Sequence, residues 1–284
     1  MDRKLTYKKQ PGTRELEKEH CNSAIPPQVA TSVRELNQQL PSLYKKGDGI
    51  LSYSLICVIS GGTGRERTFL NELEKKHTFK GIDVIFISSE NGAGGLTPKM
   101  MQSAYDEIYK DGTIKMTGRT IKLDSVDTVY MFTDVDHYKN DLKEILANRK
   151  KASPIWIISN PDFEIWIYYC YRNNPYVDLK AVIEEKESQR SSKLKTVNGT
   201  FNNGGGLDTR KAFERLKDGI SHSKEHYNET YGIPDLLSTQ MHLFAEDVLI
   251  RLGNEYKDFV KKKEEFRNSM RINKKQIGES MTFD

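Results

Sequence analysis

From Ser54 to Ser159 the chain alternates short β-branched runs with amphipathic stretches, and no other feature constrains its fold so tightly. The runs "SLICVIS", "IDVIFIS", "TVYMFTD" and "SPIWIIS" are apolar nearly throughout. Between them, "GRERTFLNELEKKH", "TPKMMQSAYDEIYK" and "YKNDLKEILANRK" carry apolar residues at helical spacing. A strand apolar on both faces must be covered on both, so the pattern predicts a mostly parallel sheet with helices on both faces. "GTIKMTGRTIKLD" at 112–124 reads as a hairpin inserted before the third core strand.

After about residue 162 strand signals stop. "DFEIWIYYCYRN", "LKAVIEEKESQR", "TRKAFERLKDGISHSKEHYNETY" and "TQMHLFAEDVLIRLGNEYKDFVKKKEEFRN" all read as helices. The expected class is therefore α/β, a sheet followed by a helical C-terminal half. Three parts follow: a polar N-terminal extension over 1–50 with one short helix-like piece, "ATSVRELNQQL"; an α/β domain over 51–165; and a helical region over 166–284 packing on it. The Gly- and Asn-rich "VNGTFNNGGGLD" at 197–208 reads as a mobile loop, either a lid over the site or a plain connector.

Composition narrows the function classes. Lys and Arg number 44 against 40 Asp and Glu, so the net charge of +4 is a mixed surface rather than one strong field. The three cysteines, Cys21, Cys57 and Cys170, are widely spaced and form no CxxC, which argues against a disulfide framework or a zinc knuckle and for a reducing cytoplasm. No apolar run approaches the roughly 18 residues of a membrane span, and "MDRKLTYKKQ" lacks the apolar stretch of a signal peptide, so no membrane partner is expected.

Ligands of open parallel sheets bind outside the carboxyl ends of the strands. Four junctions meet there: "ISGGTGRE", "SSENGAGG", "TDVDHY" and "SNPDFE". Asp134 and Asp136, at alternate positions of an extended segment, point the same way and suit a Mg²⁺ ion that keeps several waters; equally, Asp134 ends a strand and Asp136 caps a helix starting at His137. "GGTGRE" is neither GxGxxG nor GxxxxGK[ST], so a dinucleotide or P-loop site is not indicated, and Glu66 reads equally well as a favourable charge at a helix N-terminus. Pro161 starts a helix with Glu164 one turn in, where it can aim at the crevice of Asp134 while Phe163 and Trp166 face the core. His222 and His226 stand four apart without an HExxH pattern and read as a solvated face. Cys170 in "WIYYCY" reads as buried, and Lys193 and Lys195, in a basic segment beside the Gly-rich stretch, read either as phosphate contacts or, as most such lysines are, as solvated side chains.

"VISGGTGRERTFLNELEKK", "VYMFTDVDHY" and "SNPDFEIWIYYCY", in that order, resemble the three signature blocks of the RloB family, which includes the AbiL-type phage-resistance proteins. The resemblance spans about 52 to 250, and "STQMHLFAEDVL" resembles the family's C-terminal helix start. It implies a Toprim-like domain related to that of the OLD-type nucleases, in which an acidic turn after the first strand and an Asp-x-Asp turn hold Mg²⁺ (or Mn²⁺) for cleavage of nucleic-acid phosphodiesters. By position, Asp134 and Asp136 are the metal pair and Glu164 the acid of the Phe-Glu block.

Two departures stand out. Where the family's first strand typically ends in Glu-Gly with Thr-Glu a few residues later, this chain has Gly61-Gly62 and Arg65-Glu66. The family's histidine after the Phe-Glu-x-Trp block is replaced by Cys170. Either Glu66 or Glu90 substitutes for the lost carboxylate, or catalysis is gone. The expected catalytic set is therefore Glu66, Asp134, Asp136 and Glu164, acting on DNA or RNA in an abortive-infection system. The chain has no Walker motif, so the ATPase that the resemblance implies would be a separate ABC-type subunit encoded nearby; homo-oligomerisation stays open. The alternative is a degenerate scaffold that binds a partner or nucleic acid without cutting.

Overall fold

The computed structural model describes residues 33–34, 54–75, 77–89, 95–116, 119–135, 138–149 and 154–280, with side chains left aside at 33–34 and 273–280. In chain order the elements of the α/β part are β1 (Val33–Arg34), β2 (Ser54–Ser60), α1 (Arg65–Glu74), β3 (Ile82–Ile87), α2 (Pro98–Ile108), β4 (Tyr109–Lys110), β5 (Thr113–Met116), β6 (Arg119–Lys122), β7 (Thr128–Asp134), α3 (Lys139–Ala147) and β8 (Ile155–Ser159). The helical half follows with α4 (Glu164–Tyr169), α5 (Pro175–Asp178), α6 (Lys180–Ile183), α7 (Arg190–Thr200), α8 (Thr209–Ala212), α9 (Leu216–Glu225), the short pair β9 (Glu229–Thr230) and β10 (Ile233–Pro234), α10 (Met241–Leu252) and α11 (Asn254–Ser280).

The sheet runs β1-β3-β2-β7-β8, and β3, β2, β7 and β8 are all parallel. Every residue of β2 and β3 is buried, which is why their runs show no polar alternation. Even-numbered side chains Ile56, Val58, Val84, Phe86, Tyr130 and Phe132 face a cluster built with Phe69, Trp166, Phe213 and Phe244 of the helices. Odd-numbered Cys57, Ile59, Ile85, Val129 and Met131 face Met101, Tyr105 and Leu142 on α2 and α3. Helices therefore cover both faces, and the helical half packs on the even face.

Phe69 anchors α1 there, its ring set edge-on to Phe163 at 5.7 Å, Trp166 at 6.1 Å and Phe213 at 5.6 Å. Burying such a ring contributes about 1.5–3 kcal/mol and each edge contact about 0.5–1.5 more, so the rotation of α1 is well determined. All of α4 is buried. It fits because α9 presents Gly219 to it: a Cβ at that position would stand 2.7 Å from the Trp166 ring and 3.0 Å from the Cys170 sulfur.

The outer edge of β8 is sealed by residues 237–240. The Gln240 N–H donates to the Ile158 carbonyl (2.9 Å), the Gln240 side-chain oxygen accepts from the Ile158 N–H (3.1 Å), and the Asn160 N–H donates to the Ser238 carbonyl (3.0 Å). The Ser159 and Thr239 hydroxyls meet at 2.8 Å. An apolar strand edge that would otherwise template pairing with another chain is thereby satisfied.

Three expectations need adjustment. Within the helix-like piece at 30–40, Val33–Arg34 instead pair antiparallel with β3, and its remainder lies outside the described residues. The hairpin at 112–124 is present, with β4 added as a third strand. The stretch at 197–208 is not a free loop: α7 continues through Thr200, a hydrogen-bonded turn follows in which Asn202, Asn203, Gly204 and Gly206 adopt positive φ, and Leu207 is buried. Burial of Leu194 and Asn198 on one side of α7 holds the helix down where Gly and Asn alone favour a break.

Candidate functional site

The strand alternation that builds the even face also decides what its carboxyl end displays. Continuing the register of β2, β7 and β8 puts Ser60, Asp134 and Ser159 on the side of the sheet where α1 and α4 begin. Those helices start with Arg65 and Glu66 on α1 and Glu164 on α4, the latter just after Asp162. Glu66, Asp134, Asp162 and Glu164 thus lie close enough to feel one another's charge, joined by Lys195 from α7.

Each acid is held by identifiable contacts. Asp162, 1% exposed, accepts the Glu164 N–H at 3.1 Å, starting α4 much as an N-cap would, and its other oxygen lies 3.3 Å from Lys195 Nζ. Glu164, 3% exposed, is 2.7 Å from Arg65 Nε. α7 is tied to the same spot by the buried Asn198 side chain, which donates to the Glu164 carbonyl at 3.0 Å. Asp134 is half-buried and has no ion-pair partner among the described residues.

Glu66 lies in the first turn of the helix that follows the first core strand. Its carboxylate folds back over the turn, so that a Cβ built on Gly62 would stand only 2.0 Å from Glu66 Oε1. Gly62 must be glycine for the carboxylate to occupy that place. Gly61, by contrast, is closed off: its N–H donates to the Phe132 carbonyl (2.8 Å), its carbonyl accepts from Leu96 (3.0 Å), and an added Cβ would meet the Leu96 carbonyl at 3.1 Å. The Glu66 carboxylate thus lies against Gly62, whereas a side chain at Gly61 would point toward Leu96 and Met101.

Electrostatically the acids are short of positive charge. Burial, followed by the charges of Asp162, Glu66 and Glu164, pushes the Asp134 carboxyl well above its ordinary range, with Lys195 acting the other way. Burial and then the Glu164 charge raise Asp162 similarly. Burial raises Glu66 to about 7; its own backbone N–H, Lys195 and Arg65 lower it and Glu164 adds to the rise. Burial works against the Lys195 ammonium, but Glu164 and Asp162 outweigh it and hold its pKa above normal.

Such a donor set consists only of hard oxygens and suits Mg²⁺ or Mn²⁺ in kind. Among the described residues no three His, Cys, Asp or Glu side chains gather closely enough to hold a metal ion. Mg²⁺ needs only one or two carboxylates besides water, so the set fits as ligands of a hydrated ion, with Asp134 and Glu66 the two of the four acids not ion-paired among the described residues. Asp136 and Glu90 lie outside the described residues.

Of the sequence-derived candidates, Glu66, Asp134 and Glu164 come together. Asp162, Arg65 and the ion-pairing of Lys195 were not read as site features. "NPD" offered a signal for Asp162, an acid at a helix start; Lys195 was legible only as a lysine that could touch phosphate, because the folding of α7 over α4 is what brings it to Asp162. His222 contacts the Tyr169 carbonyl (2.8 Å) and His226 the Asn173 side chain (3.0 Å), which uses the pair structurally. Cys170 is wholly buried, and burial pushes its thiol far up, which makes it inert.

Fold and site together define an open α/β sheet protein with a strand-end crevice that carries more carboxylates than cations. Comparisons of the chain with protein-family models, with curated proteins and with solved structures found no match.

Proposed function

We propose that the chain is a divalent-metal-dependent nuclease of an anti-phage abortive-infection system, cutting nucleic-acid phosphodiesters at this crevice. The observation that carries the reading is the Glu66 carboxylate seated over Gly62 beside Asp134, an acid supplied from the helix where the resemblance to RloB-like Toprim proteins leads one to seek it at the strand end. Asp134, with Asp136, would hold Mg²⁺ or Mn²⁺, which when bound supplies Lewis-acid stabilisation of the phosphate and an activated water. Glu66, raised to about 7, can exchange a proton with water near neutral pH, as a general acid or base requires. Arg65 and Lys195 keep Glu164 and Asp162 neutralised at the wall.

The reading extends to the cytoplasm as location, resting on the cysteine usage, and to an ABC-type ATPase as partner, which the resemblance implies and which would be a separate subunit because this chain has no Walker motif. No helix among the described residues is long and apolar enough to cross a membrane. Incubating the purified chain, alone and with the ATPase encoded nearby, with DNA and RNA in Mg²⁺ or Mn²⁺ tests the proposal. Cutting that survives Asp134→Asn unchanged would sink the site assignment, and co-expression that yields only this chain would remove the partner.

A second reading, a Toprim-like scaffold that binds without cutting, is favoured by one observation: two of the four acids already have cations, Glu164 with Arg65 and Asp162 with Lys195. Calorimetry separates the two. Heat on adding Mn²⁺, lost in Asp134→Asn, supports the nuclease; no heat together with intact oligonucleotide binding supports the scaffold.

A further inference from the structure

The two ion pairs of the crevice share a polarity that points outward. In each, the acid is buried and the cation half-exposed: side-chain exposure is 4% for Glu164 against 46% for Arg65, and 2% for Asp162 against 50% for Lys195. The cations come from different elements, Arg65 from the first turn of α1 and Lys195 from α7, and each is fixed from beneath by a carboxylate that cannot move with it. A guanidinium has five donors and an ammonium three, so a single carboxylate leaves both with donors directed to solvent.

We propose that Arg65 and Lys195 are a clamp for the phosphodiester backbone of a nucleic-acid strand lying across the mouth of the crevice. The proposal rests on the reading of the ligand as nucleic acid, not on metal-dependent cutting. Phosphate oxygens are bound best by charge-assisted donors, and a cation already oriented by a buried acid loses less side-chain freedom when it takes up a phosphate. The ion pairs need not break, because phosphate approaches from the exposed side. Arg65 offers a planar fork and Lys195 a point charge, so the two together fix a strand on two sides of the acids.

The contacts also bind α7 into the site. Lys195 and Asn198 are three residues apart on one helix; the first reaches Asp162 and the second the Glu164 carbonyl. A strand held by Lys195 is therefore held at a set distance from the start of α4, and phosphate contacts of this kind position a substrate without reading its bases.

The test is binding of a fluorescein-labelled single-stranded oligonucleotide, in DNA and RNA versions, to the full chain by anisotropy over 50–200 mM salt, once in Ca²⁺ and once in EDTA. Arg65→Gln and Lys195→Gln should each weaken binding about tenfold and flatten the log K against log salt line by about 0.7–1, whereas Lys195→Arg should keep the slope. Calorimetric Ca²⁺ uptake should be retained or tightened in Lys195→Gln, since a competing positive charge is removed. Unchanged slopes in both Gln variants, or no oligonucleotide binding by the unmodified chain in either buffer, overturn the clamp. The two Gln variants lie on different helices, so unfolding of one leaves the other as the test. If only the metal reading fails, Ca²⁺ heat is absent while the slopes still flatten.

Discussion

Asp178 and Asp162 are both aspartates placed beside a cation, yet they end in opposite states. Asp178 takes Arg172 in a two-pronged contact, Nε at 2.7 Å and the terminal nitrogen at 3.2 Å, and also accepts the Tyr168 hydroxyl at 2.7 Å. The Arg172 hydrogen bonds hold its carboxyl below the ordinary range. Asp162 has Lys195 at 3.3 Å, but burial and the neighbouring Glu164 drive its carboxyl up. Asp247 is likewise engaged by the Arg251 guanidinium and the Tyr130 hydroxyl, whereas Asp134 has no ion-pair partner among the described residues. Matched acids tie helices together. The strand-end acids instead outnumber their cations and are held protonated to higher pH than usual, a state that a bound cation can displace and that suits proton exchange.

The comparison breaks most visibly if Asp134→Asn leaves cleavage alone. Loss of about 10²- to 10⁴-fold in Mg²⁺-dependent cutting is expected, read by turnover of a labelled oligonucleotide. The same substitution should raise the melting temperature in metal-free buffer, because it removes one of several mutually repelling carboxyls, whereas removing a matched acid should lower it.

Stability against pH sharpens the contrast next. Glu66, raised from 4.5 to about 7, keeps in the folded state a proton that the unfolded chain has released across that interval. Metal-free stability should therefore fall as pH rises from 4.5 to 7, by up to roughly 3 kcal/mol, and Glu66→Gln should flatten that fall in urea titrations at several pH values. Asp178 works with the opposite sign: its carboxyl lies below 3.8, so its contribution is complete above that pH and is lost on acidification through the lower folded value. The smallest effect is Asp178→Asn at neutral pH, about 1 kcal/mol destabilising, since Arg172 is 41% exposed and solvent screens the pair. A stabilising Asp178→Asn would undo the distinction between the two kinds of acid.

Much of this was legible in the residues, and the exceptions have physical causes. The mostly parallel sheet with helices on both faces followed from the alternation of apolar runs, because a strand apolar on both sides must be covered on both; the order of its strands was not readable from that pattern. Glu164 could be aimed at Asp134 because the start of a helix after a sheet strand has a definite direction. Lys195 could not be placed: its partner is 33 residues away, and the helix that carries it contains Gly199 and Asn198, which read locally as breakers. Only the burial of Leu194 and Asn198 against α4 overrides that preference. The Glu66 carboxylate was legible as a charge at a helix start but not as the occupant of Gly62, since that depends on a side chain folding backward over its own turn.

The seal on β8 sets a schedule for the growing chain. The Ser159–Thr239 contact joins residues 80 apart, and the polypeptide emerges at about 5–20 residues per second, so the edge waits roughly 4–16 s for its cover during synthesis. During that interval Ile157, Ile158 and the neighbouring Trp156 form an apolar ribbon with open hydrogen-bonding groups, on a nascent protein that also awaits the helices of its even face. The chain's period of greatest exposure to misassembly therefore ends when Ser238–Gln240 arrive, and conditions that slow elongation between β8 and α10 should show up as lost soluble yield even where the finished molecule is stable.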